Sequence, residues 1–307
     1  MHAVLLKGQG VTIERPRRIL GTVLPALPSA VATGLALALV AKAATWPVSA
    51  TQFAAIVAAI VLFVLAGLFA FWGYACYSLH YALDSRGLTI VWGTLRHFIP
   101  MERIEGLSAG RGEDRPHLRG LSWPGLHVGR GQLDDRDALF YSTHSSPEEI
   151  VYVRTPAVTY AVSPQDPPRF IDEVERFKQA GRTGGTESVQ RDVIGGHPIW
   201  ADRVAQWLAL AAVLINLALW GYIFAIYPDL NETITIEFPP LGEITDVHSR
   251  NEILWIPAAA LAVLAVNLIA GLGFQWRERA ATYLLLTGSV FLQLLFWVSA
   301  GIAVANA

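Results

Sequence analysis

The sequence reads Tyr81-Ala-Leu-Asp-Ser-Arg-Gly-Leu-Thr-Ile-Val-Trp-Gly93 at the point where a long apolar region ends. Apolar and polar residues alternate on both sides of Asp84-Ser-Arg-Gly87, a pattern typical of two strands joined by a tight turn. A third strand is predicted at 93–100, and a short strand or a turn is predicted at 101–104 with Ile104 directed inward. This segment therefore begins a small β-rich domain that folds in water.

The same alternation recurs at 138–143, 150–155 and 157–162, where we predict the last strands. An amphipathic helix follows, because four apolar residues share one face at helical spacing: Phe170, Ile171, Val174 and Phe177. Ser163 and Asp166 are predicted to cap this helix, with two prolines in its first turn. Six or seven strands and one C-terminal helix define an α+β domain over 81–178.

The segment between Gly106 and Gly131 contains seven further glycine or proline residues. It sustains neither the two-residue period of a strand nor the 3.6-residue period of a helix. We therefore predict one long loop here, and long loops in small domains are often functional or mobile.

The flanking regions are composed for a lipid environment. Of 307 residues, 53% are hydrophobic and only 16% are charged, against roughly 25% charged residues in soluble domains. Runs of roughly 20 or more uncharged residues predict membrane-spanning helices, here at 19–41, 53–77, 204–228, 253–276 and 280–307. The predicted fold class is a multi-span α-helical membrane protein with about five transmembrane helices and an inserted α+β domain.

This reading divides the chain into five parts. They are an N-terminal cytoplasmic segment at 1–18, a helical hairpin of two spans at 19–80, the domain at 81–178, a linker at 179–203, and three spans at 204–307 with an external hairpin at 229–252.

The arginines near the spans predict the orientation of the chain. With five spans, the clusters at 15–18, Arg203 and 277–279 all fall on one side, whereas the other side is acidic. Positively charged loops remain in the cytoplasm. We therefore expect the N-terminus and the domain to be cytoplasmic and the C-terminus to lie outside.

Several fragments, in their order and spacing, resemble the bacterial pleckstrin-homology-like domains: Tyr81-x-Leu-x3-Gly87-Leu-x-Ile, Gly93-x2-Arg96-x2-Ile99-Pro100-Met101-x2-Ile104, Trp123-Pro124-Gly125-x3-Gly129, Tyr141-x-Thr143, Val153-x-Thr155 and Tyr160-x-Val162-Ser163-Pro164-x-Asp166-x3-Phe170. The resemblance covers about a third of the chain and implies a β barrel or sandwich closed by a C-terminal helix, attached to spans in a bacterial inner membrane. A second segment, from Phe238 to Asn267, resembles a bacterial membrane module of unknown function. Neither resemblance supplies a catalytic residue.

Candidate binding residues follow from charge. The eukaryotic relatives of this fold bind inositol phosphates through basic residues of the first hairpin, where this chain offers only Arg86. The predicted loop and its surroundings offer more, and the candidate anion-binding set is Arg86, Arg111, Arg115, Arg119, His127 and Arg130. Four acidic residues neutralise much of this charge, namely Glu113, Asp114, Asp134 and Asp135. We expect no catalytic residue, no metal site and no cofactor.

Three functions remain open. The first is a non-enzymatic interaction or scaffold module that binds a membrane protein or a second copy of itself through exposed strand edges. The second is a sensor that binds an anionic lipid headgroup or a small anion at 106–131. The third is a membrane enzyme, which would require the histidine and aspartate side chains of that segment to converge. The expected partners are the lipid bilayer and another protein, and not nucleic acid.

Overall fold

The computed structural model describes residues 11–110, 117–133, 136–179, 188–191, 197–237 and 245–305. Contacts between residues divide the chain into two units: Met1–Thr33 with Phe63–Gly195, here called the sheet unit, and Gly34–Leu62 with Gly196–Ala307, here called the helical unit. Helices α1 (Ile19–Ala43) and α2 (Ala50–Ser78) each contribute to both units.

The remaining described elements of the sheet unit are eleven strands and one helix. In chain order they are β1 (Thr12–Glu14), β2 (His80–Leu83), β3 (Gly87–Trp92), β4 (Leu95–Pro100), β5 (Gly106–Ala109), β6 (His117–Trp123), β7 (Leu126–Leu133), β8 (Arg136–Ser142), β9 (Val151–Arg154), β10 (Thr159–Val162), α3 (Pro167–Gln179) and β11 (Ser188–Arg191).

These strands form two sheets. One has the order β1-β2-β3-β4-β11 and is antiparallel throughout. The other has the order β5-β9-β10-β8-β7-β6, in which only β8 and β10 run parallel. The predicted first hairpin, third strand and last three strands are therefore confirmed.

The main core of the sheet unit combines residues of both sheets with α3. Phe170 and Val174 of α3 are fully buried in it, and Ile171 and Phe177 pack against it, as the apolar stripe predicted. The Asp166 carboxylate caps the helix by accepting a hydrogen bond from the Arg169 N–H at 3.1 Å. Two residues at the end of α2, Cys76 and Leu79, belong to the same core. The domain is thus continuous with the end of a membrane helix.

The prediction of one long loop at 106–131 is wrong. The described part of this segment contains β5, β6 and most of β7, and β6 and β7 form a seven-pair antiparallel hairpin from His117↔Gln132 to Trp123↔Leu126. The glycines that suggested a loop lie opposite each other, as the pair Gly120↔Gly129. A Cβ atom on Gly120 would lie 2.4 Å from the Val128 carbonyl oxygen, so these strands approach too closely for a side chain.

The sheet also extends beyond the predicted domain of 81–178. Strand β1, from the segment assigned to the N-terminal tail, pairs with β2 across Ile13↔Ala82. Strand β11, from the predicted linker, pairs with β4 across Val189↔His97. Both additions occupy the open sides of the first three-stranded sheet, where unpaired backbone groups are available.

The helical unit contains α4 (Arg203–Ile226), α5 (Trp255–Phe274) and α6 (Arg279–Ala305), together with parts of α1 and α2. Each of the five predicted spans coincides with a helix that is long and apolar enough to cross a membrane. Buried amides link these helices, since Asn216 donates to Gln293 at 2.9 Å and Gln293 donates to the Ala260 carbonyl at 2.8 Å. The hairpin predicted between the third and fourth spans is present as β12 (Thr233–Glu237) paired with β13 (Thr245–Ser249). Its location outside the cell stays a prediction.

Asp202 joins three elements at one end of this unit. Its carboxylate caps α4 through the Ala205 N–H at 3.1 Å and accepts from Gln275 at 2.9 Å and Tyr283 at 2.8 Å. The Ala205 hydrogen bond, more than the other contacts, lowers the pKa of Asp202 below its usual value. Asp202 therefore acts as a structural anion that holds the helix ends together.

Candidate functional site

The hairpin of β6 and β7, here called the long hairpin (His117–Leu133), carries most of the described candidate residues. Its turn is formed by Pro124 and by Gly125, which has a φ of 79°. Proline at the second position and a left-handed glycine at the third are the requirements of a type II turn. This turn is the tip of the long hairpin.

The tip packs against α1 and α2. The Trp123 ring stacks on Phe69 with a centroid distance of 6.2 Å, and its edge meets the Trp72 ring at 5.4 Å. Its buried indole N–H has no hydrogen-bond acceptor among the described residues. Aromatic contact, rather than hydrogen bonding, therefore holds this side chain.

Two glycines allow the tip to approach the helix backbones. A Cβ atom on Gly21 of α1 would lie 2.0 Å from the Gly125 carbonyl oxygen and 2.7 Å from the Cys76 sulfur. Conversely, a Cβ atom on Gly125 would lie 2.7 Å from the Gly21 nitrogen. The long hairpin is thus in backbone contact with the end of the helical hairpin.

Arg119 and Arg130 are brought together on the long hairpin. They form a directly opposed cross-strand pair, so their side chains lie on the same face of the sheet. Both are exposed. They line a cavity of about 860 Å³, which lies within the range of roughly 300 to 1,000 Å³ that is typical of ligand pockets. Two of the six predicted residues therefore share one potential ligand site.

The other candidates lie elsewhere. Arg86 is in the turn between β2 and β3, where it forms a 3.0 Å ion pair with Asp84. His127 alternates with Arg130 along β7 and so faces the opposite side of that strand. Arg111 and Arg115 lie outside the described residues, as do the acidic residues Glu113, Asp114, Asp134 and Asp135.

His127 stacks on His144, with ring centroids 4.1 Å apart. Each Nδ1 atom is 2.9 Å from a serine hydroxyl, that of Ser122 for His127 and that of Ser142 for His144. Burial, followed by the neighbouring His127, lowers the pKa of His144 to about 4, and burial also lowers the pKa of His127. At neutral pH the pair is uncharged, so it adds nothing to the positive charge of the site.

A buried polar chain, which sequence reasoning missed, crosses the core of the sheet unit. The Tyr81 hydroxyl donates to the Tyr141 carbonyl at 2.6 Å and accepts from the Ser163 N–H at 3.0 Å. The Tyr141 hydroxyl lies 2.9 Å from Nε2 of His97. Burial raises the pKa of Tyr81 above its usual value, so the phenol stays protonated and keeps donating. The tyrosines in the predicted strands were the only sequence signal for this chain of hydrogen bonds. Their hydrogen-bond partners could not be predicted without the strand register.

The third open function, a membrane enzyme, would require the histidine and aspartate side chains of the 106–131 segment to converge, and Asp114 of that segment lies outside the described residues. The hydroxyl within hydrogen-bonding distance of His127 belongs to Ser122, which lies on an adjacent strand.

Five helices long and apolar enough to span a membrane, and a two-sheet domain closed by a helix, define a membrane protein with a pleckstrin-homology-like domain. Residues 79–177 match a family model described as the bacterial PH domain, which confirms the predicted resemblance. No curated protein and no solved structure matched the chain. The resemblance of the segment from Phe238 to Asn267 to a membrane module stays a prediction.

Proposed function

We propose that this protein is a non-enzymatic interaction module of the bacterial inner membrane, and that its PH-like domain binds an extended segment of a second protein along β6. The observation that supports this proposal is that, among the described residues, no strand pairs with the outer side of β6 in the six-stranded sheet. An edge strand offers unpaired N–H and C=O groups to which another strand can add.

The register shows which backbone groups of β6 point outward. The two-residue turn closes the pair Trp123↔Leu126, and such a pair exchanges both of its hydrogen bonds. Because bonded and non-bonded pairs alternate, Leu121 and Arg119 also bond to β7. Leu118, Gly120 and Ser122 therefore direct their N–H and C=O groups away from β7, where they are available to a partner strand.

The other sheet edges are less suited to this role. Strand β5, at the far side of the same sheet, has four residues and lies against α3. In the other sheet, the edge strands β1 and β11 have three and four residues. Strand β6 has seven residues and can accept a correspondingly longer partner segment.

The pairing of β1 with β2 supports the proposed topology. Strand β1 precedes α1 and β2 follows α2, yet Ile13 and Ala82 are cross-strand neighbours. If α1 and α2 cross the membrane, the N-terminus and the domain must therefore lie on the same side. The arginine clusters favour the cytoplasmic side.

The test compares Leu118→Pro with Leu118→Ala in the full chain. Proline removes an outward N–H and blocks strand addition, whereas alanine shortens the side chain but keeps the N–H. After mild solubilisation, blue-native electrophoresis should show a complex with the wild type and with Leu118→Ala, and loss of that complex with Leu118→Pro. The mass of the complex distinguishes a second copy from another protein. A wild type that migrates only as a monomer, or a complex that survives Leu118→Pro, would contradict the proposal.

A further inference from the structure

Two exposed guanidinium groups face each other across the long hairpin. Arg119 and Arg130 are direct cross-strand partners, and side chains in such positions have Cβ atoms roughly 5 Å apart. Like charges at this distance destabilise a sheet, so the arrangement favours a ligand of opposite charge.

Five other arginines of the sheet unit have carboxylate partners within it. Among the described residues, ion pairs of 3.0 to 3.8 Å join Arg17 to Glu149, Arg86 to Asp84, Arg136 to Glu105, and Arg169 and Arg176 to Glu173. Arg119 and Arg130 form no such pair with any carboxylate in the described ranges, which lack 111–116 and 134–135. Within those ranges their positive charge is left for a ligand.

The cavity beside this pair has polar and apolar walls. Gln132 and Asp137 lie opposite each other next to the arginines. The rest of the lining is formed by Leu118, Gly131, Ala138, Leu139, Ala157 and Val158. Its volume of about 860 Å³ exceeds the space that one phosphate needs. The ligand therefore includes more than a simple anion.

We propose that Arg119 and Arg130 bind the phosphate of a phosphate ester that carries a hydroxyl or ammonium group beside the phosphate. Two guanidinium groups can each present two N–H donors to phosphate oxygens. An ionised Asp137 carboxylate accepts hydrogen bonds and cannot donate them, so it favours a ligand with a neighbouring O–H or N–H donor and repels a bare phosphate. The Leu139 and Val158 side chains offer an apolar wall to the carbon skeleton.

This chemistry has two sources, a soluble metabolite and the headgroup of a membrane lipid. The site is independent of partner binding at β6, because it uses side chains on one face of the sheet rather than the outward backbone groups. Leu118 lines the cavity but is not one of the side chains proposed to hold the phosphate. The double variant Arg119→Gln/Arg130→Gln changes those side chains and keeps every backbone N–H of β6, so the two proposals can fail separately.

The first experiment measures soluble ligands. The full chain is placed in phosphatidylcholine nanodiscs and titrated calorimetrically with sn-glycerol 3-phosphate and with inorganic phosphate. We expect glycerol phosphate to bind more tightly than phosphate, and the double variant Arg119→Gln/Arg130→Gln to weaken its binding by about tenfold or more. Arg86→Gln, which removes an arginine of the other hairpin, should bind like the wild type. Asp137→Asn should reduce the preference for glycerol phosphate.

The second experiment measures lipid. The same variants are released from nanodiscs containing phosphatidylglycerol, and the retained lipids are counted by native mass spectrometry. Fewer retained phosphatidylglycerol molecules in the double variant than in Arg86→Gln identify a headgroup as the source, and loss of glycerol phosphate binding alone identifies a soluble ligand. The proposal is overturned if neither probe binds the wild type, or if the double variant binds both as the wild type does.

Discussion

The sheet unit contains two hairpins whose turns are stabilised in different ways. The turn between β2 and β3 is held by its own residues, because the Asp84 carboxylate accepts from the N–H groups of Arg86 and Gly87 at 2.8 and 3.0 Å. The turn of the long hairpin is held by helices α1 and α2, through Trp123 and the contact between Gly21 and Gly125.

The charges on the two hairpins follow the same division. Arg86 is neutralised by Asp84 within its own turn. Arg119 and Arg130 instead face each other, and no carboxylate in the described ranges pairs with them. The first hairpin thus satisfies its own turn and its own charge, whereas the long hairpin depends on α1 and α2 for its turn.

The largest expected effect concerns the close contact of the long hairpin with α1. Gly21→Ala would place a Cβ atom 2.0 Å from the Gly125 carbonyl oxygen, and we expect a loss of about 3 kcal/mol or more in stability. Gly34→Ala, on the same helix, meets nothing within 4 Å and should be neutral or stabilising by up to about 1 kcal/mol. Thermal unfolding of both variants in one detergent tests this. Equal melting temperatures would show that the tip is not docked on α1.

The aromatic contact of the tip comes next. Trp123→Ala removes the ring that packs on Phe69 and Trp72, and a loss of about 2 to 4 kcal/mol is expected. Trp123→Phe keeps an aromatic ring and removes an N–H that has no described acceptor, so it should cost less than about 1 kcal/mol. Chemical denaturation in mixed micelles provides the measurement. A phenylalanine variant as unstable as the alanine variant would contradict the aromatic explanation.

A smaller effect is expected in the hairpin of β2 and β3. Asp84→Ala leaves two backbone N–H groups without their acceptor, which should cost about 1 to 2 kcal/mol. Arg86→Ala removes only an exposed ion pair and should cost about 0.5 kcal/mol or less. Comparison of the two melting temperatures separates the contribution of the backbone hydrogen bonds in the turn from that of the ion pair. If Arg86→Ala were the more damaging change, the turn would not be the stabilising feature.

The smallest effect concerns pH. The pKa of His144 is lowered to about 4 in the folded chain, whereas a histidine in the unfolded chain has a pKa of about 6.5. Between these values the unfolded chain binds more protons, so stability should fall as the pH drops from about 6.5 to 4 and become insensitive to this group below that range. Because His144 is only half-buried, we expect a change below about 1 kcal/mol.

The matched variant for this effect is His144→Asn. Asparagine can still hydrogen-bond the Ser142 hydroxyl but does not titrate in this range. The melting temperature of the variant should therefore depend less on pH between 6.5 and 4 than that of the wild type. An unchanged pH profile would mean that other groups, such as the neighbouring His127, carry the dependence.

The features that sequence could predict are those determined by neighbouring residues. The turn at Asp84, the cap at Asp166 and the five apolar helices each depend on residues a few positions apart. The long hairpin could not be identified from its glycines, because the reason for Gly120 is its approach to Gly129 on the opposite strand. One signal was present: Leu121, Trp123, Leu126 and Val128 alternate with period two around the turn.

For the candidate site, the sequence could predict the types of residue involved but not their arrangement in space. Six basic residues were selected, but which of them meet depends on the strand register. The register places Arg119 opposite Arg130, and it turns His127 to the other face of β7, where it stacks on His144. Without the pairing of β6 with β7, the sequence showed which basic residues were present but not which of them lie close together in the fold.

The pairing of β1 with β2 constrains the order in which the first sheet can form during synthesis of the chain. Thr12–Glu14 is synthesised before both helices of the first membrane hairpin, and its neighbour His80–Leu83 appears only after them. β1 can therefore pair with β2 only after α1 and α2 have been synthesised. The edge of this sheet is completed by two segments that the whole helical hairpin separates in sequence.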